Sequence, residues 1–222
     1  MNAVTDTPRV PAAGAVLEAD VMIPEGAKGV VLFAHGSGSS RRSPRNRQVA
    51  GELRAHGFGT VLADLLTRRE AEVDAVTGEF RFDIGLLSLR VVELADWLEE
   101  YEPAGHLGLG LFGASTGAAA ALVAASARPD LVRAVVSRGG RPDLAERSLT
   151  AVRQPTLLIV GALDGHVVDL NRRALQRIPG ESRLELVPDA THLFEEPGAL
   201  EHVTRLTSDW FERHLTDPPT GS

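Results

Sequence analysis

An α/β fold, with a mostly parallel sheet covered by helices on both faces, is predicted by three observations. Short apolar runs of strand length recur along the chain, stretches of helical periodicity lie between them, and the strongest runs are apolar without alternation. Unbroken apolar character suits strands buried on both faces, and the alternation of strands with helices suits parallel crossovers. With 222 residues, 43% hydrophobic and 24% charged, the chain is long enough for one large core, and residues 1–222 are read as a single domain.

The elements follow in order. Residues 1–13 are polar and proline-containing, and are expected to be a frayed tail. Val16 to Ile23 reads as a strand, and Gly29 to Ala34 as a second, continuously apolar one. Arg45 to His56 has helical character and stops at Gly57, before a third strand at Gly59 to Ala63. Asp64 to Phe82 is largely polar and is expected to be the longest irregular loop. Leu87, Val91, Leu94 and Leu98 fall at helical spacing. Leu107 to Phe112 reads as a strand, Ala118 to Ala127 as an alanine-rich helix, and Ala134 to Ser137, Thr156 to Val160 and Leu184 to Val187 as further strands. Leu200, Val203, Leu206, Trp210 and Phe211 mark a closing amphipathic helix, and 216–222 is expected to fray.

Composition excludes several classes of function. The net charge is −7, and the basic residues are scattered apart from Arg41, Arg42, Arg45 and Arg47, which argues against a nucleic-acid surface. There is no cysteine, so disulfides, thiolate metal sites and a cysteine nucleophile are out. No run of about 18 apolar residues occurs and the first residues lack a signal-peptide pattern, so no membrane partner and a cytoplasmic location are expected. No metal and no cofactor are expected either, since no H-E-x-x-H or similar ligand spacing is present. A monomer or small homo-oligomer is anticipated.

The stretch GHLGLGLFGASTG, Gly105 to Gly117, carries two overlapping motifs. Gly108, Gly110 and Gly113 spell the dinucleotide fingerprint G-x-G-x-x-G, but no strand precedes Gly108, and the acidic residue about 20 positions on, Asp130, precedes the next strand instead of ending it. The first two glycines are better read as permitting a helix to pack closely over a strand. Gly113, Ser115 and Gly117 spell G-x-S-x-G with a strand before and a helix after, which is the context of a strained nucleophile elbow.

A serine needs a base, and the base needs an acid to hold its tautomer. On a parallel sheet with this elbow both should follow the serine, acid first. Asp164, after the strongest strand, and His192, after the last, are the expected partners; His166 and Asp143, Asp169 and Asp189 are the weaker rivals. The oxyanion of the transition state needs two backbone N–H donors. Thr116 is one, and Ser37, in the loop His35-Gly36-Ser37-Gly38 after the second strand, is the other, with Gly38 the alternative. His35 and Gly36 are then structural supports.

Together, HGSGSSRRSPRNR at His35 to Arg47, RFDIGLL at Arg81 to Leu87, GASTGAAAAL at Gly113 to Leu122, SRGGRPDLA at Ser137 to Ala145, LLIVGALDGHV at Leu157 to Val167 and THLFEEPGAL at Thr191 to Leu200 carry a resemblance. They resemble the α/β-hydrolase superfamily and, within it, the dienelactone-hydrolase-like family, in a subgroup sometimes fused to phosphoribosyltransferase domains. The resemblance implies a Ser115, His192, Asp164 triad and hydrolysis of an ester or lactone. Dienelactone hydrolase itself has a cysteine nucleophile, so Ser115 points to general esterase chemistry, with thioesters of small acyl groups or a non-catalytic binding role as alternatives. The family also binds a substrate carboxylate with arginines, which makes Arg41, Arg42, Arg138 and Arg141 candidates for substrate contact, along with Gly38 in the oxyanion loop. Ser137 and Pro155 are too close in sequence to hold an inserted helical lid, so no lid domain and a small, open site are expected.

Overall fold

The computed structural model describes residues 3–216. Six strands run parallel in the order β5-β4-β6-β7-β8-β9: β4 (Val30–Ala34), β5 (Gly59–Ala63), β6 (Leu109–Ala114), β7 (Val132–Arg138), β8 (Thr156–Gly161) and β9 (Ser182–Val187). On the β5 edge the sheet continues antiparallel through β3 (Ala15–Pro24) to β1 (Ala3–Asp6), while β2 (Arg9–Ala12) also pairs with β3. The start of the chain is therefore not a frayed tail from residue 3 onward. Backbone pairing to β3 holds it, and Val10 and Ala12 are buried although β1 is exposed throughout. The expected fraying of 216–222 lies almost wholly outside the described residues.

Helices α1 (Pro44–Ala55) and α6 (Ala199–Leu215) cover one face, where Val49, Leu53, Val203 and Phe211 pack on Phe33, Phe112, Val136 and Ile159. Helices α3 (Ile84–Glu100) and α4 (Thr116–Ala127) cover the other, packing on Leu32, Leu111 and Val135. Every residue of β4, β5, β6 and β8 is buried, which is why these strands read as unbroken apolar runs. Each fully buried Phe or Leu here stabilises the fold by about 1.5–3 kcal/mol. A Cβ on Gly110 would lie 2.7 Å from Phe211 and 2.9 Å from Leu215. The glycine thus lets α6 close on β6, as expected for a strand glycine rather than a phosphate-binding one.

Three further elements go beyond the sequence reading. Asp64 to Phe82 is not an irregular loop: it contains α2 (Arg68–Thr77), which starts with a capping box in which Thr67 and Glu70 satisfy each other's backbone N–H. A 3-10 segment spans Pro142–Ala151, and α5 (Gly165–Leu175) links β8 to β9. No inserted lid domain interrupts the chain between β7 and β8, and no helix among the described residues is long and apolar enough to cross a membrane. The chain leaves β4 for β5 on one side and returns to β6 on the other, so a crevice opens at the carboxyl ends of β4 and β6. Open α/β sheets take their ligands at such a reversal.

Candidate active site

Ser115 stands at that crevice, at the turn from β6 into α4. Its φ of 51° and ψ of −120° lie where a residue with a Cβ is strained. The strain is held by neighbours: the Ser115 N–H donates to the Arg138 carbonyl at 3.2 Å, and the Ser115 carbonyl accepts from Arg141 N–H at 3.0 Å and Ala118 N–H at 3.1 Å. The turn is possible only because its flanks lack side chains. A Cβ on Gly117 would lie 2.2 Å from the Ala34 carbonyl oxygen, and one on Gly113 would lie 2.4 Å from the Ala118 Cα. Ser115 itself makes no side-chain bond to cap α4, so its hydroxyl is left for other partners.

The two expected partners meet. His192 Nδ1 lies 2.7 Å from Asp164 Oδ2, so Nδ1–H donates to the carboxylate and Nε2 is the ring's free acceptor. Their approach has a backbone cause: a Cβ on Gly161, at the end of β8, would lie 2.4 Å from the carbonyl oxygens of both Ala190 and Thr191. The His192 loop is anchored by buried Phe194 and by Glu196, whose carboxylate accepts from Thr191 N–H at 3.0 Å and Thr191 Oγ1–H at 2.5 Å. Those bonds hold the Glu196 carboxyl below its ordinary range. The same loop touches the strand next to Ser115. A Cβ on Gly139, which follows the Arg138 carbonyl that accepts from Ser115, would lie 3.2 Å from the His192 carbonyl and 3.5 Å from its Cε1. His166 and Asp169 lie within α5, and Asp143 is engaged by Arg141 at 2.8 and 2.9 Å. Asp189 takes a positive φ of 57° in the turn leading to His192.

The loop after β4 closes the other side. Gly36 comes so near the elbow that a Cβ there would lie 2.9 Å from both the Ala114 carbonyl and Ser115 Cβ. His35 is buried and neutral in role: its Nε2 accepts from Leu65 N–H at 2.9 Å and Nδ1–H donates to the Gly36 carbonyl at 3.0 Å. Burial pushes its pKa below the ordinary histidine value. Ser37 Oγ–H donates to the Arg81 carbonyl at 3.2 Å and lies 3.1 Å from Thr116 Oγ1, which ties together the two residues expected to present N–H donors.

The arginine candidates separate. Arg41 is not free for a substrate: its guanidinium pairs with Asp64, with Glu18 at 2.5 Å and with Asp20 at 3.1 Å. Three carboxylates from β3 and the end of β5 draw it into the sheet edge, so it clamps the loop after β4 in place. Arg141 is likewise paired with Asp143. Arg42 is exposed. Arg138 is buried at the end of β7, with Nε and Nη1 unpartnered; burial and the nearby Arg45 push its pKa down to about 10.

A cavity of about 290 Å³ opens beside Ser37 and Thr116. The loop after β4 lines it with Gly36, Gly38 and Ser39, and Leu66, Ala71, Asp74, Ala75, Arg81 and Leu87 line the rest of its walls. Sequence reasoning missed these walls because α2 carries no apolar stripe; the T-x-x-E box at Thr67 to Glu70 was the available signal.

Comparison with known proteins fits this architecture. The sequence model of the "Dienelactone hydrolase family" matches residues 17–215. Two Mycobacterium tuberculosis proteins, each named "Putative phosphoribosyl transferase", are 54% identical over 213 residues, covering 96% of this chain and 46% of theirs; the chain thus spans about half the length of these relatives. A crystal structure described as dienelactone hydrolase from Anabaena variabilis superposes with a TM-score of 0.93 at 52% identity, covering 96% of this chain and 99% of that one. Est1E from Butyrivibrio proteoclasticus, at 14% identity and a TM-score of 0.77 over 96% of this chain and 98% of its own, shares the fold. A match over nearly the whole chain, a close structural relative and a sheet of this topology agree, and the protein belongs to the dienelactone hydrolase family, as a hydrolase of the α/β-hydrolase fold.

Proposed function

We propose that the chain is a serine hydrolase of small carboxylic esters or lactones, with Ser115 as nucleophile, His192 as general base and acid, and Asp164 as the group that orients His192. The observation that carries this reading is the 2.7 Å bond from His192 to Asp164 on a loop packed beside the strained Ser115 turn. A serine hydroxyl attacks only when a base removes its proton, and a neutral imidazole with Nδ1–H tied to a carboxylate presents Nε2 for that purpose.

In the reaction, Ser115 Oγ forms a bond to the carbonyl carbon as His192 Nε2 takes its proton. The oxyanion is received by the N–H groups of Ser37 and Thr116, the latter at the positive end of α4, where a lost donor costs roughly 10²- to 10³-fold in rate. Collapse breaks the bond to the leaving oxygen, which takes the proton from His192. Water, deprotonated by His192, then attacks the acyl-enzyme; collapse breaks the bond to Ser115 Oγ, which takes the proton back from His192 as the acid is released. The full-length Mycobacterium tuberculosis relatives are more than twice this chain's length, and the part matched here is the hydrolase-family part, so phosphoribosyl transfer is not assigned to it.

The test is Ser115→Ala. We expect kcat on a short activated ester to fall by about 10³-fold or more, with the fold retained. A fluorophosphonate probe should add its mass to the Ser115 peptide of the native chain. Undiminished turnover in Ser115→Ala would refute the reading, and folded protein that neither reacts with the probe nor cleaves any ester would favour a binding role.

A further inference from the structure

Resting on the reading of Ser115 as nucleophile, we infer that selectivity lies in the acid half of the ester, and that the cavity under α2 accepts a neutral, apolar acyl group of up to about ten carbons. The assignment of acid to cavity comes from the tetrahedral geometry of the reaction. The oxyanion points to Ser37 and Thr116 N–H, and the leaving oxygen must face His192, which protonates it. The acyl carbon therefore points away from His192. The cavity is lined by Ser37 and Thr116 and by no member of the proposed triad, so it adjoins the oxyanion donors and lies off the His192 side.

The walls decide the chemistry. Leu66, Ala71, Ala75 and Leu87 are apolar, and the only charged groups lining this cavity, Asp74 and Arg81, neutralise one another. The buried Asp74 carboxylate accepts from Phe80 N–H at 2.9 Å, Arg81 N–H at 2.8 Å and Arg81 Nε–H at 3.0 Å, and Arg81 Nη2–H donates to the Asp74 carbonyl at 2.5 Å. A second carboxylate on the acid would meet an arginine already spent on Asp74. The cavity of about 290 Å³ lies at the small end of ligand sites and has room for about ten carbon-sized groups at ~30 Å³ each. On the His192 side, Leu163 and Leu193 are exposed, so the alcohol half is held loosely.

Ala71, Asp74 and Ala75 lie one turn apart on the same face of α2, which makes the two alanines the depth gauge of the pocket. The experiment is a series of nitrophenyl esters from acetyl to dodecanoyl, assayed on the native chain, Ala75→Leu, Ala71→Leu and, on the outward face, Val76→Leu. Filling the cavity from α2 should lower the ratio of kcat/KM for octanoyl over acetyl esters by at least tenfold in both alanine variants and leave that ratio unchanged in Val76→Leu, where the side chain is 88% exposed. Changing the alcohol at fixed acid should alter kcat/KM far less than changing the acid. In the native chain a butyryl ester should be preferred to the succinyl half-ester.

If the fluorophosphonate probe labels Ser115 and esters are cleaved, but the alanine variants keep the native chain-length ratio, the pocket assignment is wrong while the hydrolase reading stands. Preference for the succinyl half-ester would likewise overturn the neutral-acyl assignment alone. Absence of both labelling and turnover would remove the hydrolase reading and this inference together.

Discussion

The two sides of the cleft are fixed by different forces. On the sheet side, Ser115 is held by backbone packed on backbone: Gly113, Gly117 and Gly36 bring the elbow, α4 and the loop after β4 within distances that leave no space for a Cβ. On the cover side, α2 buries one residue of its ten, Asp74, and is fastened by charge. Arg90 of α3, 1% exposed, donates from Nη1 and Nη2 to Glu70 at 2.8 and 2.7 Å, and Asp74 gathers Phe80 and Arg81. Close-packed backbone has essentially one arrangement, which suits a site where attack geometry must be accurate to a fraction of an ångström. A helix held by a few directed bonds leaves its inner face free to change, and that face borders the proposed acyl pocket. The proposed nucleophile and the proposed acyl pocket thus sit on walls with separate constraints.

Adding one methyl group to each wall tests this contrast most severely. A Cβ at Gly117 would sit 2.2 and 2.4 Å from the carbonyl oxygens of Ala34 and His35, which belong to β4 and the loop after it and cannot move without opening the sheet. At Gly78, the left-handed cap of α2 with φ 71°, a Cβ would meet nothing nearer than Arg81 Nε at 3.6 Å. We expect Gly117→Ala to cost more than about 4 kcal/mol, or to prevent folding, and Gly78→Ala to cost about 1 kcal/mol from its backbone conformation alone. Denaturant titration measures both, and similar costs would erase the distinction between the walls.

Removing the charge that fastens the cover should come next in size. Glu70→Gln leaves Arg90 buried without a counter-charge, and loss of one partner from such a pair costs about 3 kcal/mol at neutral pH. Arg90 holds the Glu70 carboxyl down to about 2 in the folded chain, against an ordinary value of 4.5. A depressed acid stabilises the fold fully above its unfolded pKa and loses that contribution as pH falls toward its folded pKa. The gap in stability between native chain and Glu70→Gln should therefore be full above pH 5 and narrow steadily between pH 4.5 and 2. A gap independent of pH would show that the pair does not fasten α2 as described.

What the sequence disclosed follows the same division. β4, β6 and β8 announce themselves because burial on both faces demands unbroken apolar runs; Ser115 and Asp164 were legible at the ends of two such strands, and His192 in the loop after the partly exposed β9. α2 was hidden: Val73 and Val76 point outward, its inner face is alanine and aspartate, and its stability comes from residues distant in sequence. β1 and β2 were hidden for a related reason, since edge strands held by backbone pairing need no apolar pattern. Arg41 looked like a ligand-binding arginine because nothing local shows that Glu18, Asp20 and Asp64 converge on it. Ion pairs between distant segments leave no periodic trace.

The smallest expected effect concerns His35, where the two kinds of anchoring meet. The ring lies in the sheet-side wall, yet it holds the loop after β4 by bonds to Gly36 and Leu65 that require the neutral form, because Nε2 must accept. Burial lowers its pKa below 6.5, more than the nearby Asp64 carboxylate raises it. The unfolded chain then binds the proton more readily than the folded one, so stability from this site is complete above about pH 6.5 and declines as pH falls toward the folded pKa. A Gln in its place keeps an acceptor for Leu65 N–H without a titrating ring. Across pH 7 to 5 the native chain should lose more stability than His35→Gln, and parallel thermal-midpoint curves for the two proteins would mean that protonation elsewhere, not at His35, loosens the loop.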